Sequence, residues 1–187
     1  MASFLALSLR EVVISGFGGL ALLAALSQGP LHTRVVPSQS MAPTLQVGDR
    51  LLIFSSRSGG SVQRGELVVF HPPFRKIPGE PQTGPDWMPW GQESVYVKRV
   101  IAVEGDVIQV ISRHGVLING QPLNEPYIVS PPRYDWGPHS VPDAHVVVLG
   151  DNRNDSFDSH HWGFLPVERI VGRPTLRLWP PSRWTFF

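Results

Sequence analysis

Proline and glycine, 19 and 18 residues among 187, punctuate this chain so densely that long helices are disfavoured along most of its length. Proline removes a backbone donor and fixes φ, and glycine is costly to order, so the pattern favours short strands joined by turns. Beyond Pro30, short β-branched runs fit that reading at 50–54, 66–70, 95–103, 107–111, 116–118, 144–149, 169–171 and 175–179. Asn119-Gly120 is the strongest hairpin signal, between Ile118 and Gln121. The fold class predicted from these residues is all-β. An apolar fraction of 42% against 17% charged residues excludes a disordered chain, and the length suits one domain. Sixteen basic against fifteen acidic residues, a net charge of +1, lack the basic footprint of a nucleic-acid binder. With no cysteine there is no disulfide, zinc-thiolate site or cysteine nucleophile.

The N-terminus departs from the β pattern. Residues 12–26 form an uncharged run of 15, preceded by Arg10, Glu11 and the apolar stretch 4–9. A membrane span needs about 20 residues, which 3–27 supplies if Arg10 and Glu11 pair or reach the interface. The same segment has the parts of a removable signal peptide, with Arg10 ahead of the apolar run and Ala25 and Ser27 as small residues at a cleavage point. Both readings send the remainder across a membrane. Residues 71–94, rich in proline and without periodicity, are predicted as a long loop between two strands. Its Trp87, Met88 and Trp90, with Trp179, Trp184, Phe186 and Phe187 at the C-terminus, are candidates for an aromatic membrane-docking patch.

Three polar features carry chemistry. The basic residues are Arg except Lys76 and Lys98, and strand alternation puts Lys98 on an apolar face with Tyr96, Val100 and Ala102. Burial there favours the neutral amine, so this lysine can act as a base where arginine cannot. Residues 37–45 (PSQSMAPTL) hold Ser38 and Ser40 between two prolines, and a neutral lysine can activate a serine without imidazole. Residues 150–163 (GDNRNDSFDSHHWG) form a turn-rich polar run in which Ser156, Asp158 and His160 share a face if the segment is extended. An EF-hand fails there, because Arg153 takes a ligand position and Phe157 stands near the required glycine. A metal site at Asp158, His160 and His161 is weakened because adjacent histidines in a strand face opposite ways, whereas His160 or His161 as base for Ser40 stays open.

PSQSMAPTL, RGELVVF, YVKRVIAVEGD and GDNRNDSFDSHHWG, in that order behind a hydrophobic segment, resemble the successive motif boxes of bacterial type I signal peptidases from about Val35 to Gly172. The resemblance implies a mostly β catalytic domain, of coiled, barrel-like sheets with a small β-hairpin lobe, behind one transmembrane helix. Its expected boundaries are 1–30 for the anchor and 31–187 for the catalytic domain, with 107–142 as the lobe. It implies a membrane-bound serine endopeptidase that cleaves signal peptides from exported preproteins, with Ser40 as nucleophile and Lys98 as general base. The Ser40 amide and Ser38 hydroxyl would form the oxyanion hole, Ser156 would position the lysine, Asp151, Arg153 and Asp158 would support the site, and Met41 would line the cleft. No metal or cofactor is implied. The implied partners are preproteins with small residues, mainly Ala, one and three before the cut, and membrane lipids; the catalytic domain would lie on the periplasmic or lumenal side of a single-pass anchor. His160 stands where the family form has Arg, so an ion pair to Asp158 would pass to His160 or Arg153. Competing readings are an organellar inner-membrane peptidase of the same mechanism, a self-cleaving Ser-Lys repressor, or a decayed peptide-binding module.

Overall fold

The computed structural model describes residues 31–55, 61–73 and 95–187. The chain is mostly β, with strands β1 (Leu31–Val35), β2 (Arg50–Ser55), β3 (Leu67–Phe70), β4 (Tyr96–Val103), β5 (Val107–Ile111), β6 (Gly115–Ile118), β7 (Gln121–Pro122), β8 (Trp136–Ser140), β9 (His145–Leu149), β10 (Leu165–Pro166), β11 (Ile170–Trp179) and β12 (Thr185–Phe186). Among the described residues one short α-helix, α1 (Ser159–Trp162), follows β9, and two 3-10 turns span Val167–Arg169 and Pro181–Arg183. The larger sheet runs β1-β2-β11-β3-β4-β9-β10, with β12 on β11, and the smaller runs β7-β6-β5-β8. β1 and β10 end the larger path, so no pairing of these two closes it into a barrel.

Alternation along the central strands separates the cores. In β3, Leu67 and Val69 join a cluster with Val36, Met41, Leu45, Leu51 and Ile53, whereas Val68 and Phe70 face a second cluster with Val100, Val146, Val148 and Leu165. In β9, Val146 and Val148 enter that second cluster, and Val147 and Leu149 enter a third beneath the small sheet with Ile108, Val110, Val116 and Ile118. Strands covered on both faces read as continuous apolar runs, which is why β3 and β9 are plain in the sequence. Lys98 lies opposite Val68 in the ladder and is buried, as the alternation predicts, but a register shift between Val100 and Ala102 puts Ala102 in the third cluster and not with Val100.

Three elements differ from expectation. β1 (LHTRV) and β8 (WGPHS) are polar or Gly/Pro-containing, and pairing with β2 and β5 makes them strands against their propensity. The runs 169–171 and 175–179 belong to one strand, β11, which pairs β3 through Gly172 and β2 from Gly172 onward, with register shifts around Pro174 and Arg177. Such bulges accommodate a proline that cannot donate to the ladder. The run 156–160 is not uniformly extended, because Asp158 caps α1. The apolar N-terminal segment, Trp87, Met88 and Trp90 lie outside the described residues; among these, no helix is long and apolar enough to cross a membrane.

Candidate active site

Ser40 is carried by the turn that links β1 to β2. Buried Val36, Met41 and Leu45 root this turn in the core, and bonds from the Ala42 amide to the Gln39 carbonyl (2.9 Å) and from the Leu45 amide to the Met41 carbonyl (2.8 Å) tighten it. Ser38 is left exposed and Ser40 half-buried. Met41, expected to line the cleft, is instead fully buried, because the same turn that presents Ser40 turns its apolar neighbour into the core.

Lys98 projects from β4 and is 2% exposed, with its Nζ 2.5 Å from Ser40 Oγ. Burial pushes this amine down to about 8, against the upward pull of Asp158, Asp151 and Asp155. Ser38 Oγ lies 3.2 Å from Ser40 Oγ on its other side. Ser40 Oγ thus has Lys98 and Ser38 as partners, and His160 and His161, although they line the same cleft of about 660 Å³, make no bond to it.

The loop after β9 packs against this pair. Asn152 donates its amide to the Ser40 carbonyl (3.1 Å) and its Nδ2 to the Gln39 carbonyl (3.3 Å), tying the two loops together. Gly150 lies so close to them that a Cβ there would meet Ser156 Oγ at 2.3 Å and the Ser40 carbonyl at 2.4 Å, so glycine is required. Ser156 is buried in the same cleft as Lys98. Asp151 receives Arg99 Nε and Nη2 at 2.8 and 2.7 Å and Thr44 Oγ1 at 2.5 Å. That bidentate pair fixes the strand residue next to Lys98.

Asp158 is fully buried and accepts from the Gly150 amide (2.8 Å) and from His160 Nδ1 (2.7 Å). Burial alone would raise its pKa, but the bonds from His160 and the Gly150 amide hold it below the ordinary carboxylate range. His160 therefore takes the place the resemblance gives to arginine, while Arg153 turns elsewhere. Because 159–162 is helical, His160 and His161 are not on opposite faces; their rings lie 3.7 Å apart, and with Asp158 they bring three ligand atoms within 4.8 Å. Asp158 Oδ2 accepts from the Gly150 amide and Oδ1 from His160, and the same residue caps α1.

Arg153 has its side chain wholly buried, donates Nε to the Gly150 carbonyl (3.1 Å), and pairs through Nη1 (2.8 Å) and Nη2 with the Glu125 carboxylate. Tyr127 donates its hydroxyl to Glu125 at 3.0 Å, and the Arg99 guanidinium lies 4.0 Å over the Tyr127 ring. Glu125 and Tyr127 thus join the small sheet's connection to the loop that faces Ser40. Sequence reasoning missed both, because they lie among turn residues with no periodicity; a buried arginine demands a counter-ion, but nothing in the sequence says which.

Residues 9–179 match the family described as "Signal peptidase, peptidase S26". The chain belongs to this family. It is 43% identical to signal peptidase I of Leptolyngbya laminosa over 88% of this chain and 78% of that one. It is also 41% identical to thylakoidal processing peptidase 1 of Arabidopsis thaliana, over 79% of this chain and 42% of the relative. The crystal structure of a signal peptidase I from Enterococcus faecalis V583 aligns over 62% of this chain and 97% of that one, with 22% identity and a TM-score of 0.47. The matched span of this peptidase S26 chain contains Ser40, Lys98 and the whole 150–158 loop.

Proposed function

We propose that this chain is a membrane-anchored serine endopeptidase that removes signal peptides from exported preproteins, with Ser40 as nucleophile and Lys98 as general base. The observation that carries the reading is the 2.5 Å contact between Ser40 Oγ and a buried lysine amine whose pKa is near 8. Neutral Lys98 takes the Ser40 proton as Oγ attacks the scissile carbonyl, then returns it to the leaving amine; a water deprotonated by the same amine hydrolyses the ester. The Ser40 amide and the Ser38 hydroxyl supply the oxyanion donors, and Ser156 keeps the lysine chain aimed at Ser40. Asp151, Arg153 and Asp158 hold the loop against the dyad. Acylation forms the Ser40 ester as the C–N bond breaks, deacylation cleaves that ester with water, and Lys98 carries the protons in both steps.

The family and its signal peptidase relatives support preproteins as substrates. The proposal assigns them small residues, mainly Ala, one and three positions before the cut. Residues 1–30 serve as a single-pass anchor and 31–187 as the catalytic domain on the periplasmic or lumenal side, with 107–142 as its small lobe. The strands of the smaller sheet fall within that last range. Membrane lipids are the second partner: Val35 and Trp179 are exposed on either side of Arg50 in register across β1, β2 and β11, near exposed Trp184, Phe186 and Phe187.

The test is cleavage of a preprotein by purified protein, with the product N-terminus sequenced. Ser40→Ala and Lys98→Ala are expected to abolish cleavage in folded protein, and Lys98→Arg not to restore it, because a guanidinium stays protonated. Peptide binding without cleavage by the wild type would instead favour the decayed binding module.

A further inference from the structure

The active-site cleft continues into a second hollow. Arg133 lines both the cleft and an adjoining space of about 440 Å³ whose other walls are Arg113, Ser130 and Pro131. The two arginines are exposed, and among the described residues no carboxylate lies within ion-pair distance of either. Of the acidic groups nearby, Asp135 accepts the Ser112 amide (2.9 Å), and Asp155 sits on the cleft wall without pairing to Arg133. Among the other described arginines, those at 64, 99, 153, 173, 177 and 183 have carboxylate partners, whereas Arg34, Arg50 and Arg169 do not; what sets Arg113 and Arg133 apart is that both wall a hollow adjoining the cleft.

The hollow is held by backbone bonds. The Arg113 amide donates to the Pro132 carbonyl at 2.7 Å, pinning the β5–β6 turn to the segment that carries Arg133. The Arg133 amide donates to Asn154 Oδ1 at 2.7 Å, and Asn154 Nδ2 donates to the Pro131 carbonyl at 3.0 Å, so the same segment is tied to the loop facing Ser40. Arg113 has φ of 63°, a left-handed conformation that glycine or asparagine adopts at lower cost. The turn geometry therefore does not call for arginine at this position.

We infer that this hollow is a subsite for an acidic side chain of the preprotein, so that the enzyme favours substrates carrying Asp or Glu at one position a few residues from the scissile bond. This rests on the signal-peptidase reading of the cleft. An extended substrate leaving the dyad past Arg133 carries its next side chains over two unpaired guanidiniums, whose planar forks match a carboxylate. The pairing is exposed, so it is modest and weakens with salt.

The experiment uses the full chain in detergent and a set of otherwise neutral peptides with an Ala-x-Ala cut site, in which a single Asp or Lys is walked along the positions on both sides of the scissile bond. The quantity read is kcat/KM for each peptide divided by that for the neutral parent, at low and high salt. One position, or two adjacent ones, is expected to show an Asp advantage of about two- to fivefold at low salt, reduced at high salt. The ratio falls to about one in Arg113→Ala, and Arg113→Glu moves the preference to Lys at the same position. A flat Asp scan, or an advantage that both Arg113 variants retain, overturns the subsite while leaving the peptidase reading intact. Failure of the wild type to cut any peptide, the neutral parent included, removes the peptidase reading and the subsite with it.

Discussion

In the proposed mechanism one residue, Lys98, bears on both activity and stability. Its amine is pushed down to about 8 chiefly by burial, so the neutral fraction grows about tenfold per pH unit below that value and levels off above it. Initial rates are therefore expected to climb between pH 6 and 8 and to flatten near pH 9; a rate already flat at pH 6.5 would mean that another group is the base. The sign for stability is opposite to that of an ordinary ion pair. The folded-state pKa lies below the unfolded one, so below pH 8 the fold carries the full cost of a buried ammonium, and that cost is relieved as pH rises from 8 to 10.5. Lys98→Met is expected to be inactive yet more stable by about 3 kcal/mol at pH 7, with the gain shrinking by pH 10, as read from urea midpoints at the two pH values. The lysine's burial was legible from strand alternation alone. Met41 was not, because an apolar residue beside a turn serine satisfies a cleft wall and a core equally well until the core's position is known.

At the scale of elements, the 150–158 loop depends on a neighbour that is remote in sequence. Glu125 reaches from the small sheet's connection to neutralise Arg153, which in turn bonds the Gly150 carbonyl. Glu125→Ala leaves a guanidinium buried without a partner and is expected to cost about 3–5 kcal/mol. The double variant Glu125→Leu with Arg153→Met removes both charges; its denaturation midpoint should recover much of that loss, whereas kcat should stay at least about tenfold down because the loop has lost its tether. Full recovery of kcat in the double variant would reduce the pair to a purely structural role. Among the secondary elements, β3, β4, β5 and β9 were readable because their residues are apolar on the faces they bury. β1, β8 and α1 were not, since their sequences (LHTRV, WGPHS and SHHW) take their conformation from pairing partners and from the Asp158 cap.

For the whole molecule, the aromatic C-terminus lies on the outer surface of the large sheet. Trp184 is 66% exposed and Phe186 82%, although β12 pairs with β11 and could have been folded inward. Protein truncated to residues 28–187 is expected to co-sediment with anionic liposomes, and replacing Trp179, Trp184 and Phe186 together with serine should weaken that association without lowering cleavage of a short soluble peptide. Unchanged sedimentation of the triple variant would count against the patch. The sequence by itself determined the β class, the apolar N-terminal run, and the serine, lysine and polar-loop boxes, because these depend on local periodicity, residue chemistry and order along the chain. Only the tertiary structure decided that Lys98 reaches Ser40, that His160 and not Arg153 serves Asp158, that Glu125 answers Arg153, and that Arg113 and Arg133 stand together beside the cleft. Those pairings join residues as far as 58 positions apart, in Ser40 and Lys98. The long-range ones are set by how the sheets stack and where their loops meet, which no local pattern of residues encodes, whereas His160 and Asp158 are two residues apart and only the choice between His160 and Arg153 needed the structure.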